Sequence, residues 1–309
     1  MISLVLVTVL LFGAAVQGET ESSTAIPYQD AEWVSYGLTG RIVNGTKAAL
    51  RQFPYQVSLR RSYNAAHFCG GSLISEYHVL TAAHCMFLSG SMIQPWTIMV
   101  VAGQLLLNEQ SSTGQRRGVE KIDVHSEFDK DTLQNDVALL TLKVPFKLTP
   151  EVNVVPLTSG TPEPNTVCQV AGWGYPSEDD QTVSNRLMYV DLPIINLGIC
   201  KKLLSYVTDV FPGMMCAGYL EGQKDACGGD SGGGMLCNGI LAGVVSGGDG
   251  CARPRVPGVY SDVHFFQNWI EEHMETPVVL GRISSGGEKM LNTSLLPFIV
   301  FSKMLLKRL

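Results

Sequence analysis

The hydrophobic positions of this chain follow two patterns, short β-like runs over most of its length and one helical pattern near residue 270. From residue 42 onward, apolar and β-branched runs are separated by glycine, proline and asparagine; examples are Tyr55–Leu59, Trp96–Val101, Val137–Leu142 and Ile240–Val245. Such spacing predicts an antiparallel sandwich or barrel. Across His264–Met274 the aromatic and aliphatic residues share one face, which predicts a helix that closes the β domain.

The N-terminal end of the chain differs from this β-rich body. Residues 1–18 begin with an almost wholly apolar stretch followed by small residues, which predicts a secretory signal peptide cleaved near Gly18. A buried N-terminal strand is the alternative. Residues 19–41 are polar, acidic and free of cysteine, so they are predicted to be a propeptide with too few apolar residues to fold alone. The protein is therefore expected to be secreted and extracellular.

The C-terminal tail, residues 276–309, has no assigned role. A Gly/Ser-rich stretch, a polar spacer and the apolar run Leu295–Leu306 loosely resemble a lipid-anchor signal. The run is interrupted by Lys303 and is too short for a comfortable membrane span. A lipid anchor, a segment that binds an interface or a partner, and a disordered tail all stay open. We favour the disordered tail over membrane attachment.

Composition narrows the class of protein. The chain has 309 residues, 32 of them glycine, and only 16% are charged, which suits a turn-rich β protein. Its net charge of -6 argues against nucleic acid as a partner. Eight cysteines in a chain predicted to be exported predict disulfides, whose pairing the sequence pattern leaves open. No CxxC pair occurs, so we expect no metal and no other cofactor.

Three side chains suit nucleophilic catalysis. Ser231 lies among glycines in the segment 228–233, where the backbone can turn sharply and approach a substrate. A serine nucleophile needs a base, and the base needs an orienting acceptor. His84, beside a cysteine, and Asp136, just before an apolar run, supply these groups. Each residue alone has a structural interpretation, but their joint occurrence favours catalysis.

From Ile42 to about Met274 the chain resembles the chymotrypsin-fold serine proteases of the trypsin-like branch. The matching segments come in the family's order and span nearly the whole domain; they are Arg41–Gly45, Thr81–Cys85, Asn135–Leu140, Asp225–Gly233 and Gly258–Tyr260. The resemblance implies an all-β protease domain over residues 42–275, built of two six-stranded antiparallel Greek-key barrels and a short C-terminal helix. The N-terminal barrel would span about 42–145 and the C-terminal barrel about 150–275.

The resemblance also implies a serine endopeptidase and carries over the roles of the family's triad. Ser231 would be the nucleophile, His84 the general base and then acid, and Asp136 the carboxylate that orients His84. The backbone N–H groups of Gly229 and Ser231 would form the oxyanion hole. The reaction would pass through an acyl-enzyme.

The same resemblance implies a primary specificity pocket. Asp225 would lie at its base and bind arginine or lysine, while Gly248 and Gly258 would keep its walls small. Ala226 replaces a serine whose hydroxyl often helps to bind lysine. We therefore expect cleavage after arginine to exceed cleavage after lysine.

Activation would follow cleavage after Arg41. The resemblance implies that the freed ammonium of Ile42 inserts next to Asp230. An unpaired buried carboxylate costs roughly several kcal/mol, so the oxyanion loop is expected to be unformed before the cut.

The cysteines would fit the family's scaffold as four pairs: Cys69–Cys85, Cys168–Cys237, Cys200–Cys216 and Cys227–Cys251. The implied partners are protein and peptide substrates with arginine or lysine before the cut, an activating protease and protein inhibitors. The enzyme is expected to be a monomer that binds no nucleic acid.

Two departures from the family's pattern bear on function. Gly247 stands where the family usually has a tryptophan, which weakens the expected binding of extended substrates. Gly228 is expected to leave the pocket rim bare. The alternative to an active enzyme is a catalytically impaired homologue that acts as a binding or adaptor protein, although the intact triad favours the enzyme. A digestive role is favoured over a regulatory cascade because the predicted propeptide is short and no accessory domain precedes it.

Overall fold

The computed structural model describes residues 42–274. The predicted signal peptide, the propeptide with Arg41, and the tail from residue 276 lie outside the described residues. The described range contains fifteen strands, two α-helices and two short 3-10 helices. The strands are β1 Thr46–Lys47, β2 Gln56–Arg61, β3 His67–Leu73, β4 His78–Thr81, β5 Phe87–Leu88, β6 Ser91–Met92, β7 Ile98–Ala102, β8 Gln115–Val124, β9 Ala138–Leu142, β10 Val167–Gly172, β11 Met188–Ile195, β12 Met214–Ala217, β13 Gly234–Cys237, β14 Ile240–Gly247 and β15 Gly258–Asp262.

The first barrel is closed and antiparallel, with the strand order β2-β3-β4-β9-β8-β7. Its core side chains are fully buried, among them Val57, Leu80, Val100 and Leu140. The hairpin β5-β6 is a separate two-stranded sheet between β4 and β7 in the chain. A 3-10 helix over Pro95–Thr97 precedes β7, so the predicted run Trp96–Val101 is a strand only from Ile98. Proline at the start of this segment favours a helical turn there.

The second barrel consists of the strands β11-β10-β13-β14-β15-β12, and a pairing between β11 and β12 closes the ring. Strand β11 shows why these segments are strands, because buried and half-buried residues alternate along its whole length. Met188, Val190, Leu192 and Ile194 point into the core with the period of two that a half-buried strand requires. The sequence-based prediction of two six-stranded antiparallel barrels is confirmed.

Near each end of the described range, a segment from one half of the chain contacts the barrel that the other half forms. Strand β1 pairs with β11 at the edge of the second sheet, although the sequence assignment placed this segment in the first barrel. The α-helix α2, Gln267–Met274, contacts the first half of the chain: the ring of His125 lies 5.6 Å from that of Phe266 and 5.5 Å from that of Trp269. These contacts hold the barrels together.

The C-terminal helix is three residues shorter than predicted. The segment before it forms a turn in which the Asp262 carboxylate accepts from the backbone N–H of His264 at 2.9 Å. The backbone N–H of Phe266 donates to the carbonyl of Asp262. The other α-helix, α1 Leu197–Leu204, is capped by Asn196, whose side chain accepts from the backbone N–H groups of Gly198 and Ile199.

Four disulfides fasten the domain, and they join the pairs that the resemblance implied: Cys69–Cys85, Cys168–Cys237, Cys200–Cys216 and Cys227–Cys251. Cys168–Cys237 joins neighbouring strands of the second barrel, and Cys69–Cys85 joins β3 to the histidine segment. Between residues 42 and 274, no helix is long and apolar enough to cross a membrane.

Candidate active site

His84 and Asp136 form a tightly bonded pair between two segments of the first barrel. His84 begins a 3-10 helix over His84–Met86, and Asp136 lies just before β9. The Asp136 carboxylate accepts from His84 Nδ1 at 2.8 Å and from the His84 backbone N–H at 2.8 Å. The Ser246 hydroxyl donates a third bond to it at 2.6 Å, and Asp136 is only 1% exposed. With Nδ1 carrying the proton, Nε2 of His84 is left as an acceptor.

Ser231 lies in the loop between Cys227 and β13. Its carbonyl accepts from the N–H of Gly70, beside the disulfide that fastens the His84 segment. Gly232 must be glycine here, because its φ is +78° and a Cβ would overlap the Thr81 hydroxyl. In the part of the chain that the structure describes, no hydrogen bond joins the Ser231 hydroxyl to His84. Catalytic hydrogen bonds of this kind often tighten only in the complex with substrate.

The backbone around Ser231 offers two free donors. The Gly228 carbonyl accepts from the N–H of Tyr175 at 2.7 Å, and the Asp230 carbonyl accepts from the N–H of Gly233 at 2.9 Å. The N–H and C=O of one trans peptide point in opposite directions, so these bonds also fix the directions of the Gly229 and Ser231 N–H groups. Among residues 42–274, neither N–H has an acceptor. The pair is therefore available to an anionic oxygen.

His67 supports this loop from β3. Its Nε2 bonds the Gly229 carbonyl at 2.9 Å, and its Nδ1 bonds the Ser58 hydroxyl at 2.8 Å. Burial lowers the pKa of His67 to about 4, so the ring is neutral at physiological pH and carries one N–H. This N–H is on Nε2, because the Gly229 carbonyl can only accept, and Nδ1 therefore accepts from the Ser58 hydroxyl. Sequence reasoning gave His67 and Ser246 no role in the site, and it treated Ser58 only as part of the β-like run Tyr55–Leu59. The one available signal is that His67 lies two residues before Cys69.

A pocket of about 270 Å³ opens beside Ser231, with Asp225, Gly248 and Gly258 among its lining residues. Asp225 is 5% exposed, and its carboxylate accepts from the N–H groups of Ala226 at 2.9 Å and Ala252 at 3.0 Å. Burial raises the pKa of Asp225 to about 6, against the opposing effect of these two bonds. Within the described residues no cation pairs with it, so at neutral pH the pocket holds one unneutralised negative charge.

Asp230 is a second buried carboxylate. It is fully buried and accepts from the N–H groups of Gly174 at 2.7 Å and Cys227 at 3.0 Å. Burial, with a smaller contribution from the nearby charge of Asp225, raises the pKa of Asp230 to about 7 against the opposing effect of the two hydrogen bonds. Gly172 and Gly174 leave room for the carboxylate, because a Cβ at either position would overlap it.

Ile42 is fully buried in the core of the second barrel with Val170 and Met188. Its φ is +60°, a region in which a β-branched residue is an outlier. The expectation that the oxyanion loop is unformed before cleavage stays a prediction, because Arg41 lies outside the described residues.

Two positions that depart from the family's pattern are compensated by neighbours. A Cβ at Gly228 would lie 2.5 Å from Cε2 of Tyr175, so the Tyr175 ring covers the rim that was expected to be bare. A Cβ at Gly247 would lie 2.6 Å from Cδ1 of Leu133. Leu133 therefore occupies part of the space that a side chain at residue 247 would take.

Among residues 42–274, one group of side chains could in principle bind a metal: Cys69, His84 and Cys85. The two cysteines are joined in a disulfide, so they offer no thiolate to an ion. This group does not fit a metal.

Comparison with known proteins agrees with this geometry. The Trypsin family model matches residues 42–270. The chain is 38% identical to "Trypsin" of Xenopus laevis over 231 residues, which cover 75% of this chain and 90% of that protein. It is 36% identical to "Serine protease 1" of Homo sapiens over 250 residues, 81% of this chain and 93% of that protein. It is 38% identical to "Trypsin I-P1" of Gallus gallus over 236 residues, 76% and 90% of the two chains.

Proposed function

Because the chain belongs to the trypsin family and is a serine endopeptidase, we propose that it cuts peptide bonds after arginine, and less readily after lysine. It is made as a secreted precursor that is activated by cleavage after Arg41. The observation that carries the specificity is the pocket beside Ser231, in which the buried carboxylate of Asp225 has no cationic partner among the described residues.

The proposed reaction has two halves. Ser231 Oγ attacks the substrate carbonyl and its proton passes to His84 Nε2, while Asp136 holds the Nδ1–H and stabilises the imidazolium. The N–H groups of Gly229 and Ser231 bind the oxyanion, where loss of one donor typically costs about 3–4 kcal/mol. His84 then protonates the leaving amine, and the acyl-enzyme forms. Water attacks the acyl-enzyme with His84 again as base, which releases the acid and restores the Ser231 hydroxyl.

The proposed preference for arginine follows from the base of the pocket. A guanidinium can bond both oxygens of a carboxylate in one plane, whereas the shorter lysine side chain needs further acceptors to reach the same charge. Ala226 offers no hydroxyl for that purpose. The backbone N–H groups of Ala226 and Ala252 keep the Asp225 carboxylate in a fixed orientation.

The proposed activation rests on Asp230 and Ile42. A fully buried carboxylate with a pKa raised to about 7 gains from a cation, and cleavage after Arg41 creates one at the Ile42 nitrogen. Cleavage also removes the strained φ of Ile42, because that dihedral no longer exists at a chain terminus. Both effects favour the formed oxyanion loop after the cut.

We favour a digestive role over a place in a regulatory cascade. The glycine at position 247 offers little side-chain surface to substrate residues upstream of the cut. Selectivity would then depend mainly on the residue in the primary pocket, which suits an enzyme that cuts many proteins.

The experiment that tests this function uses recombinant precursor, wild type and S231A, each treated with trypsin that is then removed. Both are assayed with short peptides ending in Arg, Lys, Phe or Ala before the scissile bond. We expect turnover of the Arg peptide above the Lys peptide, only after treatment and only with Ser231 present. No turnover despite a confirmed Ile42 N-terminus would favour the adaptor alternative, which rests on Gly247. Equal or better turnover of the Lys peptide would contradict the proposed preference.

A further inference from the structure

A second concave site lies on the first barrel and shares no residue with the primary pocket. It is a groove of about 300 Å³ formed by the Pro95–Thr97 turn, β7, β8 and the residue that follows β9. Gly118 opens it, because the only atoms near a Cβ placed there would be those of the Lys143 stem, the closest at 3.5 Å.

An exposed tryptophan stands at this groove. Trp96 is 66% exposed, which is unusual for a side chain of its size. Its backbone is nevertheless fixed: the Thr97 hydroxyl donates to the Gln94 carbonyl at 2.7 Å, and the N–H of Ser62 donates to the Thr97 carbonyl at 2.9 Å. An exposed tryptophan on a backbone held in this way suits a protein interface, where tryptophan is a frequent anchor.

The groove is also lined by three cations, Arg116, Arg117 and Lys143, and by no acidic residue of the described range. Neutral acceptors satisfy the Arg117 guanidinium, the closest being the Pro145 carbonyl at 2.7 Å, so its charge is not cancelled. A fourth cation, Arg60, is buried close by.

Arg60 strengthens the positive potential of the groove. It is 2% exposed and bonds Ser58, Leu107 and Gln104 without any carboxylate. Burial, and then the charge of Arg116, lower the pKa of Arg60 to about 10, so it stays charged at neutral pH. Across residues 42–274, none of these four cations forms an ion pair with an acidic side chain.

We propose that this groove docks an acidic peptide segment, with one aromatic or aliphatic side chain, of a protein partner or substrate. The chain as a whole has a net charge of -6, so an unneutralised positive groove is a local exception that would steer an acidic segment to this face. The indole of Trp96 and the half-buried Met99 offer apolar contact to such a side chain. A sulfated polysaccharide would use only the cations, so the apolar surface favours a peptide.

The test is a binding titration of the full-length S231A protein with the fluorescein-labelled peptide Gly-Glu-Asp-Phe-Asp-Glu-Gly, followed by anisotropy at low and at physiological salt. We expect saturable binding that weakens with salt and is absent for the analogue with Asn and Gln in place of the acids. R116E/K143E should weaken binding by about ten-fold or more. W96A should weaken it as well, with the acidic residues of the peptide unchanged.

K201E/K202E is the matched control, since both lysines are exposed on α1 and the change in net charge is the same. R116Q/K143Q is the milder second variant, and thermal unfolding checks that each protein is folded. Equal losses in both Glu pairs would overturn the proposal, because binding would then follow net charge alone. Absence of peptide binding would also overturn it. So would binding of a heparin-type oligosaccharide that ignores W96A while the peptide fails to compete.

Discussion

At the scale of single residues, the site depends on polar groups that are satisfied by one specific neighbour. Asp136 accepts three hydrogen bonds, and one of them comes from Ser246, a residue of the second barrel. His67 donates from Nε2 to the Gly229 carbonyl as a neutral ring, because burial lowers its pKa to about 4. Asp225 is the exception, since its carboxylate is bonded only by backbone N–H groups and remains open to a ligand.

Replacing Asp225 with asparagine should abolish most cleavage after arginine. Losing one partner of a buried ion pair costs about 3–5 kcal/mol, so we expect kcat/KM for an Arg peptide to fall by about 10³-fold. In the wild type, the ratio of kcat/KM for this peptide to kcat/KM for a Phe peptide should also fall as the pH drops through about 6, because Asp225 then becomes protonated and neutral. The ratio removes the pH dependence of the chemical steps that both peptides share. Steady-state kinetics from pH 5 to pH 9 measure both effects.

The control for this prediction is a Phe peptide. Its slower hydrolysis should not decrease in D225N, because an apolar side chain gains nothing from a charge at the base of the pocket. A variant that still prefers the Arg peptide would show that another residue binds the guanidinium.

At the scale of elements, the loop of residues 174–183 holds the walls of the pocket together. Its backbone bonds Asp230 and Gly228, and the ring of Tyr175 covers Gly228. Further along, the Glu178 carboxylate accepts from the Arg253 guanidinium at 3.1 Å and from the backbone N–H of Cys251. Cys251 is disulfide-bonded to Cys227, so this one loop contacts both the oxyanion segment and the far wall of the pocket.

Removing the charge of Glu178 should therefore raise KM more than it lowers kcat. Because Arg253 is exposed and Glu178 only half-buried, the effect should be small: we expect KM for an Arg peptide to rise about two- to five-fold in E178Q, with kcat nearly unchanged. The charge swap E178R/R253E should recover part of the loss. Steady-state kinetics at low and at high salt measure KM and kcat of both variants.

The pair of exposed Arg51 and half-buried Glu151 provides the control, since E151Q removes an Arg–Glu ion pair outside the site. KM should be unaffected there. A lower kcat with constant KM in E178Q would contradict a role in holding the pocket.

At the scale of the whole molecule, the two barrels together supply the residues of the candidate site. The site lies where both barrels contribute: His84 and Asp136 come from the first, and Ser231 and Ser246 from the second. Ile42, at the N-terminal end of the described range, is buried in the core of the second barrel. At the C-terminal end, Phe266 just before α2 contacts His125 from the first half of the chain.

The uncleaved precursor should become less stable as the pH rises from about 4 to about 7. Asp230 has a pKa raised to about 7 in the folded protein, whereas in the unfolded chain it ionises near 4. Between these values the folded state holds one more proton, so the free energy of unfolding falls with rising pH. We expect the melting temperature of uncleaved S231A to decrease over this range relative to D230N, which lacks the titrating group.

Cleavage after Arg41 should reverse this behaviour. The new ammonium of Ile42 would favour the ionised carboxylate, so the melting temperature at pH 8 should rise on cleavage of S231A and not of D230N. Identical pH profiles for the two uncleaved proteins would show that Asp230 does not titrate in this range.

The sequence by itself determined the class of fold and the chemistry of the site. The alternating strands of the two barrels follow from local patterns of period two, as in β11. Ser231, His84, Asp136 and Asp225 lie in short segments whose residue types indicate their chemistry without knowledge of distant neighbours.

Only the tertiary structure decided which remote side chains support these segments. Tyr175 covers Gly228, Leu133 approaches Gly247, and Arg116 and Lys143 meet at one groove beside Trp96. No motif connects these positions, because each contact joins residues that are far apart in the chain and come together only when the barrels close. A glycine in the sequence indicates that a position carries no side chain, and only the packed structure shows which neighbour occupies that space.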